Sequence, residues 1–216
     1  MSLLLSVPYN DKEEAKQLGA RWNPELKKWY VEDRENYHKF SKWIFSEQEA
    51  GVIVCGHYYL VVGEHTCFRC REQTEVIAYG IDEYMEFADP SVYSIDGDNF
   101  TFASGEVSIC SLLEPIAPEV LAFIKEQYGV FTSYSKQADT TYLANHCSNC
   151  NVIQGHFYLF GEAESPFFVD SIEKARALKL LKLTVPYDFL AWVDTSCGSL
   201  DYLIKQEAKV TELKIS

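Results

Sequence analysis

Two Cys-x-x-Cys pairs carry the clearest chemical signal in this sequence: Cys67 with Cys70, and Cys147 with Cys150. In each pair two thiolates can converge on one metal ion, and two such turns together supply the tetrahedral Cys₄ coordination that is typical of zinc. Four thiolates leave no open position for water or substrate, so such an ion stabilises structure and activates nothing. The sequence therefore predicts zinc as a structural cofactor, bound by these four cysteines.

Each cysteine pair lies between two segments that resemble strands. The first pair follows residues 52–62 and precedes residues 74–79, and the second follows residues 141–144 and precedes Val152 and Ile153. A redox-active Cys-x-x-Cys would instead lie at a helix N-terminus, where the thiolate pKa is lowered. The strand context indicates two zinc knuckles carried on hairpins.

The two pairs are far apart in the chain, since Cys70 and Cys147 are separated by 77 positions. In a compact zinc ribbon, about 15–20 residues separate the two cysteine pairs. We therefore expect a zinc-ribbon-like domain that contains an inserted lobe, at about residues 81–140.

The remaining cysteines and the histidines leave one alternative open. Four histidines lie near the cysteine pairs. One of them could replace a cysteine ligand or join a second, catalytic metal site. The favoured interpretation is that they are ordinary loop and strand residues. The His-x-Glu signature of zinc deaminases is absent, as are the glycine-rich phosphate loops and the Gly-x-Ser-x-Gly elbow. The histidines are His57, His65, His146 and His156, and the unpaired cysteines Cys55, Cys110 and Cys197 are expected to be small buried residues.

Charge is distributed unevenly along the chain. The net charge is −13, from 19 basic and 32 acidic side chains, but residues 1–50 are nearly neutral. The acidic remainder would repel a phosphate backbone, so a long nucleic-acid groove is excluded there. Any nucleic-acid contact belongs near the N-terminus.

Residues 1–46 have the pattern of a small α/β domain. We predict a strand at residues 3–7, a helix that begins near Asn10 and ends at Gly19, a turn at Asn23, a strand at residues 29–31 and a helix capped by Asp33. Residues 47–50 look like a polar link. The second domain then covers residues 51–216.

Residues 51–216 read as mainly β, so the predicted fold class is α+β. Besides the strands already named, we predict strands at residues 92–95, 99–103, 130–134 and 157–160, with a hairpin turn at residues 96–98. Helices are predicted at residues 118–128 and 171–182, whereas the tail after Thr184 receives no assignment.

The N-terminal segment contains Gly-Ala-Arg-Trp at residues 19–22 and Lys-Trp-Tyr-Val at residues 28–31. With Leu-Ser-Val-Pro-Tyr at residues 5–9, these motifs resemble a small bacterial domain of unknown function, which occurs beside primases, helicases and antirestriction proteins of plasmids and phages. The resemblance covers about a fifth of the chain. It implies a DNA-handling setting.

Basic and aromatic side chains alternate in this segment and could contact single-stranded nucleic acid, by charge to phosphates and by stacking to bases. The competing interpretation is that the tryptophans form the core of a small domain. The candidate residues are Lys16, Arg21, Trp22, Lys27, Lys28 and Trp29.

The favoured function is therefore a non-enzymatic, zinc-binding module of the bacterial cytoplasm, with single-stranded nucleic acid or a protein as its candidate partner. No apolar run approaches the ~20 residues of a membrane span, and the start lacks the basic flank of a signal peptide. Two alternatives stay open, a metal-dependent hydrolase or nucleic-acid-modifying enzyme, and a protein-interaction adaptor that uses the acidic lobe.

Overall fold

The computed structural model describes residues 1–44, 51–87, 100–196 and 200–215. Within these residues the fold is α+β and mainly β, as predicted. The chain forms two compact units, each assembled from three segments. The N-terminal unit comprises Met1–His57, Glu83–Ser104 and Thr184–Trp192, and the cysteine unit comprises Tyr58–Asp82, Gly105–Leu183 and Val193–Ser216.

The N-terminal unit begins with a small antiparallel sheet and short helices, in the predicted order. The 3₁₀ turn Tyr9–Asp11 leads into α1, and the 3₁₀ helix Arg34–Phe40 leads into α2. The sheet has the order β1-β3-β2. The strands are β1 (Leu3–Leu5), β2 (Arg21–Asn23) and β3 (Lys28–Val31), and the helices are α1 (Lys12–Gln17) and α2 (Ser41–Ile44).

Local signals in the sequence explain the boundaries of these elements. Gly19 has φ +103°, a left-handed conformation that suits glycine just after a helix. The side chain of Asn23 accepts hydrogen bonds from the Glu25 and Leu26 amides and so closes the turn between β2 and β3. The Asp33 side chain accepts from the Glu35 amide, as predicted for a cap.

The core of the N-terminal unit extends beyond residue 46. Tyr37 and Phe40 are fully buried and belong to the same cluster as Ile53, Cys55 and Met85. Ile53 lies in β4 (Val52–Val54), which pairs with the end of β6 (Gln73–Phe87) and with β12 (Phe189–Ser196). Residues 1–46 therefore share their core with later segments, and their status as a separate domain stays a prediction.

The cysteine unit contains the long strands of the molecule. β5 (His57–Thr66) and β6 form an antiparallel pair, β6 also pairs with β7 (Phe100–Glu114), and β11 (Lys179–Thr184) lies between β5 and the parallel strand β13 (Lys209–Glu212). A second sheet has the order β10-β9-β8. Its strands are β8 (Phe131–Ser135), β9 (Thr140–His146) and β10 (Ile153–Gln154), and the helices are α3 (Pro118–Tyr128), α4 (Ile172–Ala177) and α5 (Ile204–Glu207).

Several predicted elements differ from the structure. β6 and β7 run well beyond the strands predicted at residues 74–79 and 99–103, and three further elements differ in type or continuity. Phe157–Gly161, predicted as a strand, is a turn of π-helix, because a short apolar run does not by itself distinguish the two. The helix predicted at residues 171–182 ends at Ala177, and the following leucines form β11. The run predicted as one strand, residues 52–62, is divided at Gly56, which has φ +75°.

The predicted inserted lobe at residues 81–140 stays a prediction, and the described residues in this range are divided between the two units. Its first part, Glu83–Ser104, belongs to the N-terminal unit, and residues from Gly105 onward belong to the cysteine unit. The reason is that β6 and β7 are long strands, each of which contributes to both units. The link at residues 47–50, the strand at 92–95, the hairpin turn at 96–98 and Cys197 lie outside the described residues.

Among the helices of the described residues, none combines the length and the apolar character that crossing a membrane requires.

Candidate functional site

Two hairpins carry the cysteine pairs, as predicted. Cys67 and Cys70 lie in the connection between β5 and β6, and Cys147 and Cys150 lie in the connection between β9 and β10. Both connections have the order strand, Cys-x-x-Cys, strand. The two cysteine segments therefore share one local structure.

The two turns share the same backbone hydrogen bonds. In the first turn the Cys67 amide donates to the carbonyl of Glu72, and in the second the Cys147 amide donates to the carbonyl of Val152, each at 2.9 Å. The residue after the second cysteine has a left-handed conformation in both, with φ +66° at Arg71 and +56° at Asn151. Each turn is therefore a knuckle of the same form, and it directs both thiols of a pair to one side.

Polar side chains join the two hairpins. The Asn145 side chain accepts from the Ile77 amide at 2.7 Å and donates to the Ile77 carbonyl at 2.9 Å. The Ser148 amide donates to the Thr74 hydroxyl at 3.1 Å. These bonds replace strand pairing between β6 and β9, and they fix the distance between the knuckles. No spacing rule in the sequence identified Asn145 or Thr74.

The four sulfur atoms form one compact cluster. The Sγ atoms of Cys67 and Cys150 lie 3.7 Å apart, those of Cys70 and Cys147 lie 3.6 Å apart, and all four lie within 4.8 Å of one another. Tetrahedral coordination with bonds of about 2.3 Å places sulfurs about 3.8 Å apart, whereas a disulfide requires about 2.05 Å. The cluster could therefore hold a metal ion.

The electrostatics of the cluster favour a cation. Burial raises the pKa of Cys67, but hydrogen bonds from the Cys70 and Arg69 amides outweigh it and lower that pKa to about 6. At Cys150 the Val152 amide favours the thiolate, but desolvation and the neighbouring cysteines raise the pKa to about 11. The Glu72 amide and the Asn149 side chain lower the pKa of Cys70 as well. Two thiolates are thus stabilised at the first turn, whereas ionisation of all four thiols is opposed by their mutual repulsion. A bound dication removes this repulsion.

Neighbouring side chains cover the cluster. The buried Gln154 donates through Nε2 to Cys67 Sγ at 3.5 Å and to the Val152 carbonyl at 2.9 Å. Phe68, inside the first Cys-x-x-Cys, stacks on Tyr158 with ring centroids 5.2 Å apart. Cys67 and Cys147 are buried, whereas Cys70 and Cys150 are half-buried. The sequence offered no pattern from which Gln154 or Tyr158 could be assigned to the site.

The histidines do not join the cluster. His146 is next to Cys147, but its ring lies within hydrogen-bonding distance of the Gly129 carbonyl and the Ser133 hydroxyl and stacks on Phe131. Across the described residues, the four cysteines are the one group of His, Cys, Asp and Glu side chains close enough to hold an ion. His57 is buried, His65 is half-buried, and His156 lies 4.0 Å from Asp194.

The unpaired cysteines within the described residues agree with the prediction. Cys55 and Cys110 are fully buried, and burial raises the pKa of each thiol to about 12. Such thiols are unreactive at neutral pH.

Four of the six N-terminal candidates line a single pocket of about 380 Å³. These are Trp22, Lys27, Lys28 and Trp29. Tyr9 and Lys12 also line this pocket, and neither was among the candidates predicted from the sequence. Their signal is a Tyr-x-x-Lys spacing at the start of α1, which by itself is too common to be informative.

The other two candidates lie elsewhere on the N-terminal unit. Lys16 is exposed on α1, outside the pocket lining. Arg21 is paired with Glu32 at 2.9 Å, so its charge is locally compensated.

The two tryptophans of this pocket have different environments. Trp29 is partly buried and packs against the N-terminal core, as the core interpretation requires. Trp22 is 48% exposed and contacts Trp29 edge to face, with ring centroids 5.6 Å apart. The core interpretation is therefore correct for Trp29 and wrong for Trp22.

Comparisons with known proteins identify only the N-terminal segment. Residues 3–44 match the model of a family described as a domain of unknown function, DUF5710. A stretch of 48 residues, 22% of the chain, is 42% identical to DNA primase TraC of Escherichia coli and covers 3% of that protein. No solved structure matches the chain. The family match agrees with the resemblance that the N-terminal motifs carry to a small bacterial domain of unknown function.

Proposed function

We propose that this protein is a non-enzymatic, zinc-stabilised intracellular binding protein whose N-terminal domain binds single-stranded nucleic acid. The observation that carries the zinc proposal is the spacing of the four sulfurs, 3.7 Å between Cys67 and Cys150 and 3.6 Å between Cys70 and Cys147, which matches the edge of a zinc–thiolate tetrahedron. Tetrahedral sulfur sites also suit iron, which elemental analysis distinguishes from zinc. Zinc is redox-inert and fits a structural role.

A closed Cys₄ site stabilises the fold in a specific way. The two knuckles are separated by 77 residues along the chain, and one ion links both. Because four thiolates saturate zinc, no bound water is available for hydrolysis. We therefore assign binding to the protein and no reaction to its metal.

Elemental analysis of protein purified without added metal tests the zinc proposal. We expect a stoichiometry near one zinc per chain, and loss of that zinc in the double variant Cys67→Ser, Cys147→Ser, since each knuckle then loses a ligand. Cys110→Ala is the matched control, because Cys110 is buried outside the cluster and its loss leaves the ligands intact. Less than about half an equivalent in the parent protein, or zinc retained in the double variant, would contradict the site.

The nucleic-acid part of the proposal is supported by two observations. The chain shares 42% identity over 48 residues with a DNA primase. In addition, the N-terminal unit exposes Trp22 beside Lys27 and Lys28, in a chain whose net charge is −13. The proposed setting is DNA processing on a bacterial mobile element.

Fluorescence anisotropy with labelled oligonucleotides tests this part. We expect weak binding of the full chain to a single strand, and weaker binding to a duplex of the same sequence. Few lysines are available, so the logarithm of the affinity should fall with that of the salt concentration by only about 0.7 per phosphate contacted. Absence of binding at low salt, or a preference for the duplex, would contradict the proposal.

A further inference from the structure

We propose that the pocket lined by Tyr9, Lys12, Trp22, Lys27, Lys28 and Trp29 holds one nucleotide of a single strand, with its base stacked on Trp22 and its phosphates on the lysines. This aromatic-lysine pocket lies wholly within the N-terminal unit. The inference rests on the proposed function, to which it gives a location, a ligand size and two new residues.

The charge of the pocket differs from that of the whole chain. The lining contains three lysines and no aspartate or glutamate, whereas the chain has 32 acidic and 19 basic residues. A concave site with one sign of charge concentrates ligands of the opposite sign. The pocket is therefore suited to an anion.

The pairing of basic side chains strengthens this argument. Lys42 is bound to Glu14 at 2.6 Å, and Arg21 to Glu32 at 2.9 Å. Within the part of the chain that the structure describes, neither Lys27 nor Lys28 pairs with a carboxylate, although both are exposed. Their charges are therefore available to a ligand.

The aromatic side chains set the shape of the ligand. Trp22 is 48% exposed and Tyr9 is 79% exposed, so large rings reach solvent at the pocket. The edge-to-face contact with Trp29 supports the Trp22 ring, and the Lys12 ammonium lies 4.0 Å above the Tyr9 ring. A supported ring loses little entropy when a flat ligand stacks on it.

A nucleotide in a single strand combines the two chemistries that this pocket offers. Its base is a flat ring that stacks, and its phosphates are anions. Bases in a duplex are stacked on one another and present no free face, and an acidic peptide supplies charge without a ring. A volume of about 380 Å³ is at the small end of ligand sites, which favours one nucleotide over a long tract.

The test uses the full chain and a fluorescein-labelled oligothymidylate of about ten nucleotides. Trp22→Ala should weaken binding about tenfold, because the stacking surface is lost, and Trp22→Phe should retain most of the affinity. Lys27→Glu with Lys28→Glu should weaken binding at least as much and should reduce the salt slope by about 1.4, which corresponds to two phosphates.

The matched control reverses two other lysines of the chain. Lys39→Glu with Lys125→Glu makes the same change in net charge, but both residues are exposed outside the pocket lining and neither is a nucleic-acid candidate. We expect this variant to lose less than about threefold in affinity. A thermal melt of each variant confirms that the exposed substitutions leave the fold intact.

The outcomes separate this inference from the proposed function. If the parent binds the oligonucleotide but the pocket and control variants weaken it equally, the protein binds single strands elsewhere and the pocket is wrong. If the parent binds neither the DNA nor an RNA of the same length, the proposed function itself fails. Quenching of tryptophan fluorescence by unlabelled oligothymidylate in the parent, and its loss in Trp22→Phe, would support stacking at this ring.

Discussion

The carboxylate of Asp188 joins two of the three segments of the N-terminal unit, Thr184–Trp192 and Met1–His57. It is 1% exposed, and Arg34 donates two hydrogen bonds to it, at 2.7 and 2.9 Å. The Tyr37 hydroxyl and the Gly56 amide donate to it as well, each at 2.9 Å. Burial raises the pKa of Tyr37, so its hydroxyl stays a donor. All these donors converge on one anion whose removal leaves them unsatisfied.

We expect Asp188→Ala to lower the free energy of unfolding by about 2–4 kcal/mol. The loss should be smaller than for a wholly buried ion pair, because the Arg34 side chain is 30% exposed and keeps contact with water. Urea denaturation measures the change. Asp194→Ala is the control, since Asp194 is 67% exposed and should shift stability by less than about 0.5 kcal/mol. Similar losses in both variants would contradict the assigned role of Asp188.

At the scale of single residues, the four clustered cysteines could be predicted from the sequence, whereas the side chains around them could not. The cysteines were identifiable because Cys-x-x-Cys spacing has a direct geometric meaning at a metal. Asn145 and Gln154 were not, since a single amide side chain has no pattern, and its partners are distant in the chain. Tyr9 was missed for a similar reason, because an exposed aromatic residue becomes notable only when its neighbours are known.

At the scale of elements, the two knuckle turns have a common requirement. Arg71 and Asn151 occupy equivalent left-handed positions, and this conformation costs most residues about 1–2 kcal/mol. Asn tolerates it better than Arg does. Arg71 in the first knuckle is therefore not the residue with the lowest conformational free energy at its backbone position.

We expect Arg71→Gly to retain zinc and to raise stability by about 0.5–1 kcal/mol, because glycine adopts this conformation without strain. Arg71→Val should weaken zinc binding, since a β-branched side chain opposes a positive φ. Competition with a chromogenic chelator measures zinc affinity for both variants and the parent. Arg71 is exposed, so neither substitution disturbs the core. Tighter zinc binding by the Val variant than by the Gly variant would show that backbone conformation does not limit this turn.

Helices and strands were predicted correctly where the local sequence signals are strong. They were predicted incorrectly where pairing with distant strands determines the structure. α3 has the predicted bounds, with proline at its start and Gly129 in a left-handed conformation after its end. After Ala177, leucines at helical spacing also fit a strand, and pairing with β5 and β13 makes that segment β11. β5 and β13 are distant from this segment in the chain, so the local pattern does not reveal them as partners.

At the scale of the whole molecule, the cysteine cluster and the N-terminal core are two places where segments distant in the sequence meet. Zinc bound only by the folded state stabilises that state. We expect removal of zinc by a chelator to lower the melting temperature by several degrees, because each kcal/mol corresponds to roughly 2–4 °C in a chain of this length. Differential scanning calorimetry provides the measurement. The Cys67→Ser, Cys147→Ser variant is the control, and its melting temperature should not respond to the chelator.

The N-terminal core leads to a second prediction. Residues 1–46 share their cluster with Ile53, Cys55 and Met85, so a fragment of residues 1–46 lacks part of its own core. We expect that fragment to be marginally stable and a fragment of residues 1–57 to be more stable, since the latter recovers Ile53 and Cys55. Circular dichroism melts compare them. A cooperative transition for residues 1–46, at the temperature of the longer fragment, would establish them as an autonomous domain.

The separation of 77 positions between Cys70 and Cys147 also means that the two knuckles are synthesised at different times. At about 5–20 residues per second, a ribosome releases the first cysteine pair roughly 4–15 seconds before the second. During that interval Cys67 and Cys70 form half of a coordination shell, and an ion held there keeps two positions open to other ligands. Until the hairpin of β9 and β10 is synthesised, the first knuckle is a dithiol that is exposed to oxidants and to foreign metals. With the proposed zinc site, we expect maturation of this protein to require a reducing environment during translation, until the folded chain encloses its own sulfurs.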